Sequence, residues 1–323
     1  MTRFPTLDPE LAAALSMLPD MDFGDLPAIR SMYDTMVDAE LAALSYDGVD
    51  IRDLAAPGLS GDPDVAIRLF RPRHVQSVPP VLVWIHGGGF ATGTARVSES
   101  FCVDVARETG CVVANVDYRL APETPFPGPL NDCYAALVFV HAHAHELGID
   151  PDRIAVGGQS AGGGLAAGTV LKARDERTVP VAFQLLEIPE LDDRLTTASM
   201  TDFVDTPIWH RHNAILSWQY YLGEDYAGPD DPSVSIYAAP ARASDLAGLP
   251  PTYLCTMELD PLRDEGIEYA LRLLRAGVSV ELHSFPGTFH GSSLLSAAEV
   301  SKRGHAEALD AVRRGLRTEA ATS

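Results

Sequence analysis

Hydrophobic residues along the chain follow two different spacings, and the change from one to the other falls near residue 81. Residues 9–43 carry apolar side chains at helical spacing, interrupted by Pro and Gly, which predicts two short amphipathic helices. The runs VDIRDLAAPG and VAIRLFRP come next, separated by the turn signal GDPD. Together they predict an antiparallel hairpin.

From residue 81 onward, continuous apolar runs alternate with helical stretches. The runs predict strands, and they read VLVWIH, CVVANVDY, RIAVGG, VAFQLLEI, PTYLCTMEL and VSVELHSF. The stretches between them predict helices near 98–109, 131–147, 161–174, 264–276 and from residue 293 onward. Strands that are apolar throughout are typical of a parallel sheet with helices on both faces. The expected fold class is therefore α/β.

Residues 190–240 interrupt this alternation. They are rich in Asp, Thr and Pro around one aromatic helical patch that runs from Ile208 to Tyr220. We interpret the segment as an insertion that joins the N-terminal helices in a cap over the C-terminal edge of the sheet. The expected division is N-terminal cap helices at 1–45, the first part of the core at 46–189, the cap insertion at 190–240 and the second part of the core at 241–323.

Composition narrows the class of protein. Hydrophobic residues make up 46% of the chain and charged residues 21%, which predicts a large buried core and argues against disorder. No apolar run approaches the roughly 18 residues that a membrane span needs. The N-terminus has no charged region followed by an apolar one, so we expect a cytoplasmic protein. The cysteines are scattered without CxxC spacing, which predicts reduced thiols and neither a zinc site nor a disulfide framework.

The formal net charge of −21 further limits the partners. The basic residues are Arg, apart from Lys172 and Lys302. So acidic a surface repels nucleic acid and anionic lipid, and neither is expected as a partner. A homodimer is the one assembly that the sequence leaves open.

The pentapeptide Gly158-Gln159-Ser160-Ala161-Gly162 follows the strand RIAVG and opens the helix LAAGTVLKAR. G-x-S-x-G at a strand-to-helix junction is typical of a nucleophile elbow, in which glycines permit a tight turn and the Ser hydroxyl projects above the sheet. The motif by itself also fits an ordinary turn. Its position between strand and helix favours the nucleophile.

A second glycine-rich loop, His86-Gly87-Gly88-Gly89-Phe90, follows the strand VLVWI. Backbone N–H groups of successive glycines can approach a ligand closely, as an oxyanion hole requires. A loop for chain reversal or a phosphate cradle are the alternatives. The chain has no G-x-x-x-x-G-K-[ST] sequence and no G-x-G-x-x-G in a dinucleotide context, which disfavours the cradle.

Two further residues follow predicted strands. Asp260 comes after PTYLCTMEL, at the edge where α/β enzymes bind ligands. His290 lies in a predicted loop of small residues, 287–291, after the last strand. The chain order Ser, Asp, His is that of the α/β-hydrolases. Asp264 competes with Asp260 as the acid, but we expect it inside the following helix.

Other polar groups are interpreted as structural. Glu258 and Asp260 alternate on a strand, which does not by itself make a glycosidase pair. His141, His143 and His145 alternate on a predicted helix, where only the first and third share a face, and we expect a solvated face and no metal. His210 and His212 receive the same interpretation.

With these elements in this order, the chain resembles the bacterial hormone-sensitive-lipase-like esterases. The resemblance covers most of residues 80–291 and rests on HGGGF, Tyr118-Arg119-Leu120-Ala121-Pro122-Glu123, Phe126-Pro127 with Asp132, GQSAGG, DPLRDEG and the histidine loop. It implies an α/β-hydrolase fold, with an eight-stranded, mostly parallel sheet and a helical cap.

The resemblance also implies the roles of the site residues. Ser160 would be the nucleophile, His290 the base and Asp260 the acid that orients it. The backbone amides of Gly88, Gly89 and Ala161 would form the oxyanion hole, and no metal or organic cofactor would be needed. The expected substrate is a small to medium carboxylic ester with an acyl chain of about C2 to C8, because Trp209, Trp218, Tyr220 and Tyr221 of the cap would wall off a compact pocket.

Other functions use the same residues. Lactone hydrolysis and amide or carbamate hydrolysis need the same triad. A non-catalytic receptor is disfavoured because all three triad residues are present, and a scaffold would leave the two glycine motifs unexplained. Gln159 stands where the family usually has Asp or Thr, which predicts altered tuning of the elbow. Glu187 and Glu190 flank Ile188-Pro189, where apolar or aromatic residues are more frequent; we expect them near the cap and assign them no role.

Overall fold

The computed structural model describes residues 6–19, 21–59, 61–75 and 77–318. Residues 1–5 of the expected cap and 319–323 of the expected core lie outside the described residues. The strands are β1 (Val49–Ala56), β2 (Val65–Pro72), β3 (Val81–Ile85), β4 (Val112–Asp117), β5 (Ile154–Gln159), β6 (Phe183–Glu187), β7 (Thr252–Leu259) and β8 (Val280–Phe289). The α-helices are α1 (Pro9–Ala14), α2 (Leu26–Ala43), α3 (Glu99–Thr109), α4 (Gly128–Ala142), α5 (Ala144–Leu147), α6 (Ala161–Glu176), α7 (Ala198–Asp202), α8 (Arg211–Leu222), α9 (Arg263–Arg275) and α10 (Glu299–Leu316). Short 3₁₀ turns cover Leu15–Met17, Ala95–Ser98, Pro240–Arg242 and Ser292–Leu294.

The strands form one eight-stranded sheet in the order β1-β2-β4-β3-β5-β6-β7-β8. β2 is antiparallel to both β1 and β4, and every other neighbouring pair is parallel. The hairpin, the α/β class and the mostly parallel sheet expected from the sequence are therefore confirmed.

Helices cover both faces of this sheet, which explains why its central strands are apolar throughout. Along β3, Val81 and Ile85 pack on one face, whereas Leu82 and Trp84 pack on the other. The first face is covered by α4, α6 and α9, through side chains such as Leu137, Leu165 and Leu273. The second is covered by α3 and α10, through side chains such as Val103 and Leu309.

Parallel pairing brings the candidate residues to one edge of the sheet. β3, β5, β7 and β8 all run in the same direction. The residues that directly follow these four strands are His86, Ser160, Asp260 and His290, in that order. Because the carboxyl ends of parallel strands meet at the same edge, residues far apart in sequence become neighbours there.

The segments expected to form a cap contact each other above this edge. The Asn213 side chain on α8 accepts the N–H of Phe23 at 3.2 Å and donates to the carbonyl of Met21 at 2.6 Å. The Tyr220 hydroxyl donates to the carbonyl of Phe23 at 2.9 Å. The chain just before α2 is thus bound to the insertion through its backbone.

Two predicted boundaries near the site are wrong. The sequence predicts a loop over 287–291, but β8 continues to Phe289 because the strand resumes pairing with Leu259 after an irregularity in register. The sequence also places Ile208 and Trp209 in a helical patch. The backbone φ of Ile208 is +64°, which no helix accommodates, and α8 begins only at Arg211.

Two predicted helices also differ. The second N-terminal helix, α2, has 18 residues and is not short. The stretch 131–147 is two helices that meet at His143, whose φ of −103° and ψ of 17° depart from helical values. His141 and His145 therefore do not share one continuous helical face. No helix in the described part of the chain has both the length and the apolar character that crossing a membrane would take.

Candidate active site

Ser160 lies in the turn between β5 and α6, where its backbone adopts a conformation that non-glycine residues rarely take. Its φ is 57° and its ψ is −123°. Such strain persists only where the surroundings fix it. Gly158 and Gly162 cannot carry side chains here, because a Cβ on either would lie 2.2 Å from a backbone oxygen. The tight packing of these glycines presents the Ser160 side chain at the carboxyl edge of the sheet.

Ser160, His290 and Asp260 form a hydrogen-bonded chain. Ser160 Oγ lies 2.8 Å from His290 Nε2, and His290 Nδ1 lies 2.7 Å from Asp260 Oδ2. Asp260 Oδ1 accepts the backbone N–H of Leu262 at 2.8 Å. Because an ionised carboxylate only accepts hydrogen bonds, Nδ1 of His290 carries the proton and Nε2 can accept from the Ser160 hydroxyl.

Burial strengthens this chain of hydrogen bonds. The exposed fractions are 6% for Ser160, 5% for His290 and 1% for Asp260. Electrostatic interactions are stronger in such a water-poor space than at the surface. The arrangement can therefore move a proton from the serine hydroxyl to the imidazole while the aspartate stabilises the resulting charge.

The glycine loop after β3 holds two peptide groups in fixed orientations. The carbonyl of Gly88 accepts the N–H and the hydroxyl of Thr92, each at 2.9 Å. The carbonyl of Gly87 accepts Nδ1–H of His86 at 2.8 Å. In a trans peptide the N–H points opposite to the C=O, so the N–H of Gly88 points away from His86 and the N–H of Gly89 points away from Thr92. Donors that are oriented in advance are what an oxyanion hole requires.

His86 itself is enclosed by the fold. It is fully buried, and its ring stacks on Tyr118 with centroids 4.2 Å apart. The Tyr118 hydroxyl donates to the His86 carbonyl at 3.0 Å. Burial lowers the pKa of His86, which keeps the ring neutral. His86 therefore orients the loop.

Two aromatic side chains from outside the sheet cover the loop and the triad. A Cβ at Gly89 would lie 2.4 Å from Phe23 and 2.8 Å from Trp209. The two rings meet edge to face, with centroids 4.9 Å apart. Trp209 also lies beside His290, at 5.6 Å between ring centroids. Phe23 and Trp209 thus bound the space beside Gly89 and His290.

The competing carboxylates have other partners. Asp264 lies in α9, accepts the N–H of Ser199 at 2.7 Å and pairs with Arg263 at 2.7 Å. Glu258 accepts the N–H of Gly287 at 2.6 Å. Both stabilise backbone near the site, whereas Asp260 is bonded to His290.

Away from the triad, one cluster of side chains in the described residues could hold a metal ion. Glu281, His283 and Glu307 approach one another at the start of β8, the opposite end of that strand from His290. Arg314 already pairs with Glu281 at 2.7 Å. That the site of Ser160, His290 and Asp260 works without a metal or cofactor stays a prediction from the sequence.

Sequence reasoning assigned no role to two glutamates, Glu190 and Glu265, that the structure buries beside the elbow. Glu190 is fully buried, and its N–H donates to the carbonyl of Ser160 at 3.0 Å. Glu265 accepts the N–H of Leu191 at 2.6 Å. Burial raises the pKa of Glu190 to about 8 and that of Glu187 to about 7. For Glu187 and Glu190 the signal was present, as glutamates at positions where apolar or aromatic residues are more frequent, whereas Glu265 belongs to the matching DPLRDEG sequence. Phe23 had no comparable signal.

The chain is similar to known esterases in both sequence and structure. Residues 82–294 match the model of a protein family described by its alpha/beta hydrolase fold. The carboxylesterase NlhH of Mycobacterium tuberculosis is 38% identical in an alignment that covers 92% of this chain and 97% of the relative. A solved structure named bacterial heroin esterase is 75% identical, with a TM-score of 0.97 over 98% of this chain and 100% of that one. Esterase LipW from Mycobacterium marinum is 39% identical, with a TM-score of 0.87 over 96% of each chain.

Proposed function

The chain belongs to the α/β-hydrolase family whose model it matches, and from this premise we propose that it hydrolyses carboxylic esters through Ser160, His290 and Asp260. The resemblance to hormone-sensitive-lipase-like esterases is confirmed, and the chain is a serine carboxylesterase. The observation that carries the assignment of residues is the hydrogen-bonded chain from Ser160 Oγ to the Asp260 carboxylate.

Acylation begins with proton transfer to His290. As Ser160 Oγ forms a bond to the ester carbonyl carbon, its proton moves to Nε2, and the Asp260 carboxylate stabilises the imidazolium. The carbonyl π electrons move to the oxygen. The N–H groups of Gly88, Gly89 and Ala161 bind that oxyanion, and each such donor contributes roughly 3–4 kcal/mol in comparable enzymes.

Collapse of the tetrahedral intermediate breaks the bond to the alcohol oxygen. His290 Nε2–H protonates the leaving alkoxide, and the acyl group stays on Ser160. Water then attacks the acyl-enzyme with His290 again as the base, which releases the acid and restores the hydroxyl. The chain supplies every proton transfer in this cycle.

A fluorophosphonate probe tests the nucleophile directly, because it reacts with an activated serine. Peptide mass spectrometry should find the adduct on Ser160, and Ser160→Ala should remove it together with hydrolysis of 4-nitrophenyl acetate. Ser292→Ala is the matched control, since Ser292 is buried just after His290. An adduct on any other serine would contradict the assignment.

We propose esters with short acyl chains, about C2 to C8, as the preferred substrates. The cover of Phe23 and Trp209 over Gly89 supports a compact acyl site. The name of the relative that is 75% identical, a heroin esterase, also points to small acyl groups, since heroin is an acetyl ester of a bulky alcohol. Nitrophenyl esters from C2 to C16, below their micelle concentrations, give the profile. A maximum at C12 or beyond would contradict the proposal.

Lactones and amides are open to the same triad. Esters are preferred because an alkoxide leaves more readily than an amide nitrogen, which must be protonated as it departs. A matched panel of one ester, one lactone and one amide, compared by kcat/KM, ranks the three classes. Highest kcat/KM on the lactone or the amide would replace the ester proposal.

The division into core and cap is part of the proposal. The bonds from Asn213 and Tyr220 to the backbone around Phe23 support a cap built from residues 1–45 and 190–240. Deletion of residues 1–43 should expose apolar surface, lower solubility and raise KM. Unchanged solubility and kcat/KM would show that the N-terminal segment is not a cap.

We also propose a cytoplasmic location and a homodimer. The cysteines Cys102, Cys111, Cys133 and Cys255 are all buried and unpaired, as in a reducing compartment. β8 ends the sheet, and its outer backbone edge is the surface that a second copy would pair with. Cell fractionation and sedimentation velocity test these two points; a secreted protein or a monomer at micromolar concentration would refute them.

A further inference from the structure

Two buried carboxyl groups lie behind the turn of Ser160, and the mechanism above uses neither. Glu190 is 0% exposed and Glu265 is 2% exposed. Glu190 follows β6 in the segment that leads to the cap, and Glu265 lies in the first turn of α9. Carboxyl groups are rarely buried so fully unless they have a partner or a task.

The backbone of Ser160 is bonded on both sides to the segment that contains Glu190. Its N–H donates to the carbonyl of Glu187 at 2.8 Å, and its carbonyl accepts the N–H of Glu190 at 3.0 Å. With φ at +57°, the conformation of Ser160 is maintained by such contacts. The position of this segment therefore sets the position of the nucleophile.

The two carboxyl groups in turn fix the segment. Glu265 Oε1 accepts the N–H of Leu191 at 2.6 Å and that of Asp192 at 3.3 Å. Glu190 Oε2 accepts the hydroxyl of Ser217, on α8, at 3.3 Å. The carboxyl groups thus connect α8 and α9 to the elbow.

Their surroundings oppose ionisation. Glu190 Oε1 and Glu265 Oε2 are buried and have no hydrogen-bond partner among the described residues. Burial is the main reason that the pKa of each is raised, to about 8 for Glu190, and neighbouring carboxylates add to it. Asp260 faces Glu190, and Asp192 and Glu190 face Glu265. Arg194, on the same segment, is paired with Asp192 at 2.7 Å.

We propose that Glu190 and Glu265 are a pair of positioning residues that holds the Ser160 turn only while both carboxyl groups keep their protons. The inference rests on the esterase function proposed for Ser160. An ionised Glu190 would face the Asp260 charge in the buried interior, and movement of residues 190–192 toward solvent would relieve this repulsion. That movement breaks the bond from Glu190 N–H to the Ser160 carbonyl, so turnover falls although the substrate still binds.

The direction of the pH effect follows from the raised pKa. Folding raises the pKa of Glu190 from its ordinary value to about 8, so the proton is held more tightly in the folded state. The positioning effect is complete below that pH and is lost as the pH rises through it. We therefore expect a loss of kcat on the alkaline side, with KM nearly constant.

The test compares pH profiles of kcat and KM on 4-nitrophenyl acetate, with Ser160→Ala as the blank for spontaneous hydrolysis. Between about pH 7.5 and about pH 9.5 the parent kcat should fall about tenfold, as expected for a misplaced nucleophile. Glu190→Gln should remove this fall, because an amide has the same shape and cannot ionise, whereas Glu190→Ala should lower kcat at every pH. Glu268→Gln, an exposed neighbour on α9, should behave like the parent.

Infrared difference spectra give a readout that is independent of activity. The parent should lose a carboxylic-acid C=O band between neutral and alkaline pH, and Glu190→Gln and Glu265→Gln should each reduce that band. An alkaline loss of kcat that persists in both Gln variants would overturn the inference, as would absence of the band in the neutral parent. If a variant does not fold, the band of the parent decides. An enzyme inactive at every pH would refute the proposed function. The infrared spectra would still show whether Glu190 and Glu265 keep their protons at neutral pH.

Discussion

Replacement of Asp260 by Asn tests the catalytic assignment most sharply, because the structure leaves the amide no suitable orientation. The carboxylate accepts two N–H groups, from His290 at Oδ2 and from Leu262 at Oδ1. If the amide NH₂ faces His290, it must donate to Nδ1, and the ring proton is then forced onto Nε2. An imidazole with its proton on Nε2 cannot accept the proton of Ser160.

If the amide oxygen faces His290 instead, the NH₂ opposes the N–H of Leu262. Two buried donors then face each other, and an unsatisfied buried group costs about 1–3 kcal/mol. The productive orientation is therefore the minor one, populated about 5- to 150-fold less than the other. Loss of the negative charge also reduces the stabilisation of the His290 imidazolium. In comparable triads this substitution lowers kcat by about 10⁴. We expect a loss of kcat between about 10² and about 10⁴, with a much smaller change in KM.

The assay is steady-state hydrolysis of 4-nitrophenyl acetate by Asp260→Asn, after circular dichroism has shown a native fold. Asp264→Asn is the matched control, because Asp264 is bonded to Ser199 and Arg263 and lies only four residues away. Asp264→Asn should lower the free energy of unfolding but leave kcat nearly unchanged. A larger kcat defect in Asp264→Asn, or a loss below about fivefold in Asp260→Asn, would refute the assignment of the acid.

Three further substitutions test the glycine loop after β3, residues 86–90. Gly88→Ala should lower kcat/KM by about 10²–10³, because φ is +124° and the new Cβ would lie 2.2 Å from the Thr92 carbonyl oxygen; unchanged kinetics would separate this loop from catalysis. Thr92→Val removes the hydroxyl bond to the Gly88 carbonyl and should reduce kcat about fivefold, equivalent to about 1 kcal/mol, whereas the buried control Thr109→Val should leave kcat unchanged. Tyr118→Phe removes the bond to the His86 carbonyl and should lower the free energy of unfolding in urea by about 1 kcal/mol; an unchanged midpoint would contradict that role.

The sheet and the residues at its carboxyl edge were accessible from the sequence because each follows a short apolar run. β3 and β5 are entirely or almost entirely buried, so their continuous hydrophobicity marks them, and His86 and Ser160 come just beyond. The spatial order of the strands was not accessible, since spacing along the chain does not tell that β4 lies between β2 and β3.

Boundaries set by single backbone conformations were also out of reach. Ile208 looks like part of a helical pattern, but its left-handed φ delays the start of α8 to Arg211. The extension of β8 to Phe289 depends on pairing with Leu259 across the irregular register, a tertiary contact that no local pattern encodes.

Gly89 shows why the chemistry was easier to predict than the substrate. On one side of this residue the peptide groups are fixed by Thr92 and His86, which act within the loop itself. On the other side, a Cβ at Gly89 would meet Phe23 and Trp209, which are far from it and from each other in sequence. The two rings therefore lie against the loop whose N–H groups are proposed to bind the oxyanion. The substrate preference proposed above depends on these distant contacts, whereas Ser160, Asp260 and His290 each follow an apolar strand, and only the second set leaves a pattern in the sequence.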